Sequence, residues 1–133
     1  MKVFPDTNVL VSAVTTRGIC ADVLREVFSV HELFISEHIV NEVRTVLRKK
    51  FGIHQELIDN FIEILSQDTT MVSSGYLPEI SLQDKDDLPV LGAAINSGAE
   101  ILVTGDKELL DLCLIEGLQI RSPRQFWEMV KSK

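Results

Sequence analysis

Short apolar runs alternate with helical patterns along this chain, and this alternation constrains the fold more than any other feature. The runs at Val3–Phe4, Leu33–Ile35 and Ile101–Val103 are continuous rather than alternating in polarity, and Leu118–Ile120 indicates another short strand. Thr69–Val72 indicates a further strand, at an edge. Continuous apolar strands are typical of sheets buried on both faces, and intervening helices favour parallel pairing. The sequence therefore predicts an α/β fold with a central parallel sheet and helices on both faces.

Between these runs, apolar residues recur with the spacing of amphipathic helices. Ser36 is a good N-cap for one helix, and Pro89 and Pro123 are compatible only with the first turns of two others. The predicted helices cover residues 8–15, 21–28, 37–50, 54–66, 88–97, 106–113 and 123–130. The 133 residues show no repeat and no linker composition, which predicts a single domain over residues 1–133.

The composition narrows the functional classes only in part. No apolar run reaches the length of a membrane span, and Cys20 and Cys113 have no partner motif, so a cytoplasmic protein is predicted. The net charge of −7 weakens a nucleic-acid-binding interpretation, because Lys and Arg hold phosphates. Acids gathered around divalent cations would not repel such a substrate, however, so the charge does not exclude it.

Two polar clusters directly follow predicted strands: DTN at 6–8 and TGD at 104–106. In parallel α/β sheets, ligands bind outside the carboxyl ends of the strands, so both clusters lie where a site is expected. Each aspartate alone is more readily interpreted as a helix N-cap. Asp84 and Asp87 likewise have the spacing of a cap and its reciprocal partner.

Capping does not explain Glu42. This acid lies about one helical turn from both Ile39 and Val46 on an apolar stripe, and Asp87 is placed similarly relative to Val90. An unpaired buried carboxylate is costly, and no Lys or Arg occupies a comparable stripe position. A shared cation is the better partner, and carboxylates from different elements suit Mg²⁺ or Mn²⁺.

Other functional-looking residues have plainer interpretations. His31, His38 and His54 have no metal-ligand spacing, so zinc is not predicted, and all three are interpreted as surface or capping residues. Phe126 and Trp127 lie on an amphipathic C-terminal pattern, which favours core or dimer contacts over base stacking.

Four motifs in order give the chain a family resemblance over nearly its whole length. DTNVLVSA, ISEHIVNEV, DKDDLPVLGAA and VTGDKELL resemble PIN-domain proteins, closest to the toxin-like components of prokaryotic toxin–antitoxin systems, and RSPRQFWEMV resembles that group's closing segment. The resemblance implies a three-layer α/β/α PIN fold. It also implies a Mg²⁺- or Mn²⁺-dependent ribonuclease that hydrolyses single-stranded or looped RNA, a possible antitoxin partner and a homodimer.

The resemblance also assigns site residues. It places the catalytic, metal-binding acids at Asp6, Glu42, Asp87 and Asp106, and it places supporting polar residues at Asn8 and Thr104. Thr7 and Asn8 are expected to orient the Asp6 carboxylate. Pro5 stands where the family usually has an aliphatic residue, and the first strand is expected to end there. Asp84 or Asp86 could share the metal site, and the number of bound ions, one or two, stays open.

The densest basic group could hold the substrate. It comprises Arg44, Arg48, Lys49 and Lys50, at the end of the helix that carries Glu42. A cationic helix C-terminus that complements the dipole explains the same residues equally well.

Two functional alternatives stay open beside the ribonuclease. A catalytically silent PIN module would bind RNA or a protein partner, although such modules are expected to have lost acids that this chain keeps. An aspartyl phosphotransferase with Asp6 as nucleophile is weaker, because Asn8 stands where the second aspartate is expected.

Overall fold

The computed structural model describes residues 1–73 and 75–131, and its elements follow the predicted alternation. The strands are β1 (Lys2–Pro5), β2 (Glu32–Ser36), β3 (Thr69–Val72), β4 (Ile101–Val103), β5 (Leu114–Ile115) and β6 (Leu118–Arg121). The helices are α1 (Thr7–Thr15), α2 (Ile19–Val30), α3 (Glu37–Lys49), α4 (Gln55–Gln67), α5 (Asp87–Ser97), α6 (Lys107–Leu112) and α7 (Pro123–Lys131). No helix among these residues is long and apolar enough to cross a membrane.

The strands form one sheet in the order β3-β2-β1-β4-β6-β5, so β3 is an edge strand, as predicted. The neighbouring pairs from β3 to β6 are all parallel. Every residue of β4 is at most 1% exposed, although successive side chains of a strand point to opposite faces. Both faces of the sheet are therefore covered, and the predicted α/β fold is confirmed.

The sheet departs from parallel pairing at one edge. β5 pairs antiparallel with β6 through the two-residue turn at Glu116 and Gly117. Both turn residues have positive φ, at 47° and 85°, as a tight hairpin turn requires. Cys113 also has positive φ and ends α6 one residue before β5, so the helix predicted to reach Cys113 is shorter. The strand was missed because two residues carry no periodicity.

Pro5 ends β1 at little structural cost. The N–H of Asp6 donates to the carbonyl of Val103 in β4 (2.8 Å), so the preceding nitrogen faces the other neighbour, β2. The β1–β2 register runs only to Val3, whereas the β1–β4 register continues to Pro5. The missing proline N–H therefore shortens one ladder, and the other ladder still fixes the backbone of Asp6.

The structure tests the interpretations of the aromatic residues and of one histidine. Phe126 is fully buried and meets His31 edge to face, with ring centroids 5.8 Å apart, so the core interpretation is confirmed and this residue makes no dimer contact. Trp127 is half-buried. His54 accepts from the N–H of Glu56 (3.3 Å) as the N-cap of α4, as predicted.

Candidate active site

Asp6 lies at the carboxyl end of β1 and is held on both oxygens. Its side chain is 6% exposed. Oδ1 accepts from the N–H of Thr7 (2.7 Å) and caps α1, while Oδ2 accepts from the hydroxyl of Thr104 (2.7 Å). The predicted cap is therefore present, but it occupies only one oxygen. The other oxygen ties β1 to the residue that follows β4.

Thr104 also positions the next acid. Its hydroxyl accepts from the N–H of Asp106 (3.0 Å), and Asp106 Oδ1 accepts from the N–H of Leu109 (3.2 Å) as the N-cap of α6. Thr104 is fully buried and Asp106 is half-buried. One threonine hydroxyl thus joins the two strand-end clusters that the sequence analysis identified.

Glu42 reaches the same edge from α3. The helix starts where Ser36 caps it, accepting from the N–H of Ile39 (3.2 Å). Glu42 is half-buried, and its Oε1 accepts from the hydroxyl of Thr7 (2.9 Å). His38 Nε2 lies 3.2 Å from the same oxygen. Thr7 thus contributes its backbone to Asp6 and its hydroxyl to Glu42.

Asp87 is a strongly perturbed acid in the site. Its pKa is raised to about 7, chiefly by burial, with further contributions from the charges of Asp106, Asp84 and Asp6 and from a hydrogen bond with Asp106 that favours the protonated form. Its Oδ2 is buried and has no hydrogen-bond partner within residues 1–73 and 75–131. An acceptor oxygen thus faces other acceptors, with no cation supplied by the described residues.

Asp6 links the four acids electrostatically. Burial raises its pKa and outweighs the lowering effect of the hydrogen bonds from Thr104 and Thr7, and the charges of Glu42 and Asp106 add to the rise. Asp6 also raises the pKa of Asp87. The structure therefore brings Glu42, Asp87 and Asp106 within electrostatic range of Asp6.

Asp84 and Asp86 contribute less to the site than the other four acids. The reciprocal cap expected between Asp84 and Asp87 does not form, because Asp84 Oδ1 instead accepts from the N–H of Asp86 (3.0 Å). Both residues are exposed, and only the charge of Asp84 affects Asp87. Asp86 is the residue before α5 and makes no side-chain cap.

The four acids offer carboxylate oxygens, which are hard donors, but in the described residues they are not yet arranged as a complete metal site. In the part of the chain that the structure describes, no group of three or more His, Cys, Asp or Glu is already arranged to hold a metal ion. The unpaired oxygen of Asp87 and the mutual repulsion with Asp6 and Asp106 are nevertheless what a divalent cation would relieve. The residues therefore fit such an ion in the chemistry of their donors.

A family model described as a PIN domain matches residues 2–108, most of the chain. This chain belongs to the PIN-domain family. The match to the PIN domain begins in β1 and ends in α6, so it includes all four acids. The remaining segment completes the sheet, since β6 pairs with β4. No curated protein sequence matches the chain significantly.

Solved structures show the same fold at low sequence identity. VapBC2 from Rickettsia felis, solved bound to a DNA fragment from its promoter, contains a chain that is 17% identical, with a TM-score of 0.69, covering 92% of this chain and 98% of that one. VapC20 from Mycobacterium tuberculosis, described as a Sarcin-Ricin loop cleaving toxin, is 12% identical with a TM-score of 0.63, covering 86% and 97%. These similarities show that the chains share the PIN fold.

Two residues near the acids were interpreted differently from the sequence. Asn8 is exposed and makes no side-chain hydrogen bond within residues 1–73 and 75–131, whereas the hydroxyls of Thr7 and Thr104 donate to the acids. His38 is half-buried against Glu42 rather than a surface or capping residue. Its position one turn before Glu42 on the same helix was the available signal.

The basic group lies away from the acids. Arg44 donates to Asp59 on α4 (2.7 Å), and Arg48 and Lys49 occupy the last turn of α3. Because α3 starts at the carboxyl edge of the sheet, its last turn lies roughly 10 Å beyond Glu42, toward the opposite end. The helix-dipole interpretation therefore suits these residues better than direct contact with the site.

Proposed function

We propose that this PIN domain is a divalent-metal-dependent ribonuclease that hydrolyses single-stranded or looped RNA as the toxin of a toxin–antitoxin pair. The observation that carries the proposal is the convergence on Asp6: Glu42, Asp87 and Asp106 each share an electrostatic interaction with Asp6 or with each other at one edge of the sheet. The similar fold of a toxin described as cleaving the Sarcin-Ricin loop supports the reaction class.

Asp6, Glu42, Asp87 and Asp106 would hold Mg²⁺ or Mn²⁺, since all their donors are carboxylate oxygens. When bound, such an ion supplies a water of lowered pKa and neutralises charge that develops on the phosphate. Thr104 and Thr7 orient two of these carboxylates, because their hydroxyls donate hydrogen bonds to Asp6 and Glu42. Partners of this kind strengthen the hold on a metal, and their loss typically costs about 10–100-fold in affinity or activity.

An antitoxin is the second part of the proposal. One structural neighbour is a chain of VapBC2 bound to promoter DNA, which supports a partner protein for this chain as well. We also infer a homodimer, with Trp127 as the aromatic residue of α7 that is still partly accessible. Sedimentation of the protein alone at micromolar concentration tests the homodimer directly.

Cleavage of a mixed RNA pool tests the ribonuclease. Wild-type protein is expected to cut the pool with added Mn²⁺ and to stop in excess chelator, because the four acids cannot act without a cation between them. Products are resolved by denaturing gel electrophoresis and sequenced. Binding without cleavage under both conditions would identify a silent module, and cleavage that continues in chelator would contradict the proposed mechanism.

Replacing Asp87 with asparagine is expected to stabilise the metal-free protein. The folded-state pKa of Asp87 is about 7 against an ordinary value of 3.8, so ionising this group costs folding free energy above pH 7. That cost declines as the pH falls through 7 and is gone near 3.8. Allowing for solvent screening, the variant should be more stable by about 1–2 kcal/mol at roughly pH 8, with the difference closing in acid.

Thermal melting in chelator and in Mn²⁺ measures both effects. Added Mn²⁺ should raise the melting temperature of wild type by mass action and that of Asp87→Asn much less. If Asp87 were only a helix-capping residue, the variant would melt at or below the wild-type temperature and both proteins would respond equally to Mn²⁺. That result would remove Asp87 from the site.

A further inference from the structure

A cavity of about 290 Å³ opens on α3 directly beside the acids. It is lined by His38, Asn41, Glu42, Thr45 and Val46, which lie on one face of the helix. Glu42 belongs both to this cavity and to the acid site, where Thr7 holds its carboxylate. Whatever enters the cavity therefore lies next to the proposed point of cleavage.

The polarity of the cavity, which is open to solvent, favours a small neutral group. Apart from Glu42, its side chains offer an imidazole, an amide, a hydroxyl and an aliphatic group, with no Lys or Arg among the lining residues. A phosphate would find a carboxylate there and no compensating cation, whereas a neutral ring would not be repelled.

Two polar side chains in the cavity have unused hydrogen-bonding capacity. The amide of Asn41 and the hydroxyl of Thr45 are exposed, and neither makes a side-chain hydrogen bond to any residue that the structure describes. An amide presents a donor beside an acceptor, which matches the edges that unpaired bases display. His38 adds an aromatic ring of the kind on which such bases stack.

We propose that this cavity holds one unpaired nucleobase next to the scissile phosphate, and that Asn41 and Thr45 determine which base is accepted. The inference rests on the proposed ribonuclease function and adds to it a source of sequence preference. His38 contacts Glu42 and lines the cavity, so base recognition and the acid site share one helix face.

Cleavage mapping tests the inference. Wild type, Asn41→Ala and Thr45→Val cut a pool of RNAs with randomised loops in Mn²⁺, and sequencing of the product ends gives the base frequencies around the cut. Wild type is expected to prefer one base at a position flanking the cut, and Asn41→Ala to weaken that preference about fivefold or more. Asn60→Ala, an exposed asparagine on α4, is the matched control and should keep the wild-type preference.

Binding of labelled homopolymeric single-stranded RNAs in chelator separates this inference from the reaction itself. The ratio of affinities among the four homopolymers should shrink in Asn41→Ala and persist in Asn60→Ala. Unchanged ratios in Asn41→Ala, or a wild type with equal affinity for all four, would overturn the base pocket even if cleavage occurs. Absence of cleavage with a base-dependent affinity that needs Asn41 would overturn the ribonuclease and retain the pocket.

Discussion

Asp6→Asn lowers the rate of RNA cleavage by at least about a hundredfold, because it removes the acid that links the other three. Asparagine caps helices as well as aspartate does, so α1 should still form. The charge is lost, however, and one oxygen that accepts a hydrogen bond from Thr104 or Thr7 is replaced by an amide nitrogen. Losing an outer-shell partner of a metal ligand typically costs about 10–100-fold, so losing a ligand should reach or exceed that range.

Initial rates on a fluorescent RNA in Mn²⁺ give the comparison, with thermal melting as the check on folding. Asp59→Asn is the control, since Asp59 is exposed on α4 and, among the described residues, its side chain bonds only Arg44 and Gln55. This control should cleave at the wild-type rate. A folded Asp6→Asn protein that cleaves as fast as the control would show that the site lies elsewhere.

Gly92→Ala strongly destabilises the fold. A Cβ at Gly92, in the middle of α5, would lie 1.7 Å from the carbonyl oxygen of Tyr76 and 2.8 Å from its carbonyl carbon. Backbone atoms cannot rotate away, so either α5 or the loop that leads to it must shift. Overpacking of this kind costs about 1–3 kcal/mol or more, which exceeds the gain of about 1 kcal/mol that alanine brings to a helix interior.

Denaturant unfolding measures the loss, and Gly75→Ala is the matched control. Gly75 lies in the same loop, yet a Cβ built there meets nothing within 4 Å. The control should unfold close to wild type, while Gly92→Ala should unfold at clearly lower denaturant. Equal midpoints would mean that the loop does not rest on α5 in solution. Tyr76 also donates to Glu116 (2.8 Å), so a shift of the loop would disturb the hairpin turn as well.

Much of the fold could be predicted because its strands and helices are locally encoded. The buried strands were found from continuous apolar runs, and the observed bounds of β2 and β4 agree within one residue. β5 could not be found in this way, since it has two residues and Leu114 is 61% exposed. Its turn uses a glutamate at positive φ, where asparagine or aspartate would have been the recognisable signal.

The site was partly predictable for the same reason. Glu42 was identified because helical spacing places it beside buried residues, and the structure shows it half-buried. Its contact with Thr7 joins elements 35 residues apart, and no local pattern reports such a pairing. The proximity of Gly92 to Tyr76 is equally non-local, although a glycine inside an apolar helix is a known sign of close packing.

The hydrogen bond from Thr104 to Asp6 spans 98 residues and determines when the site can exist during synthesis. Asp6 leaves the ribosome early, but β4 and Thr104 follow only after most of the chain has been made. At about 5–20 residues per second, that interval lasts roughly 5–20 s. During it the nascent protein can form β1, and later α3, but lacks the strand that fixes Asp6 against Asp106. The site of the proposed ribonuclease therefore cannot be completed before β4 and Thr104 have left the ribosome.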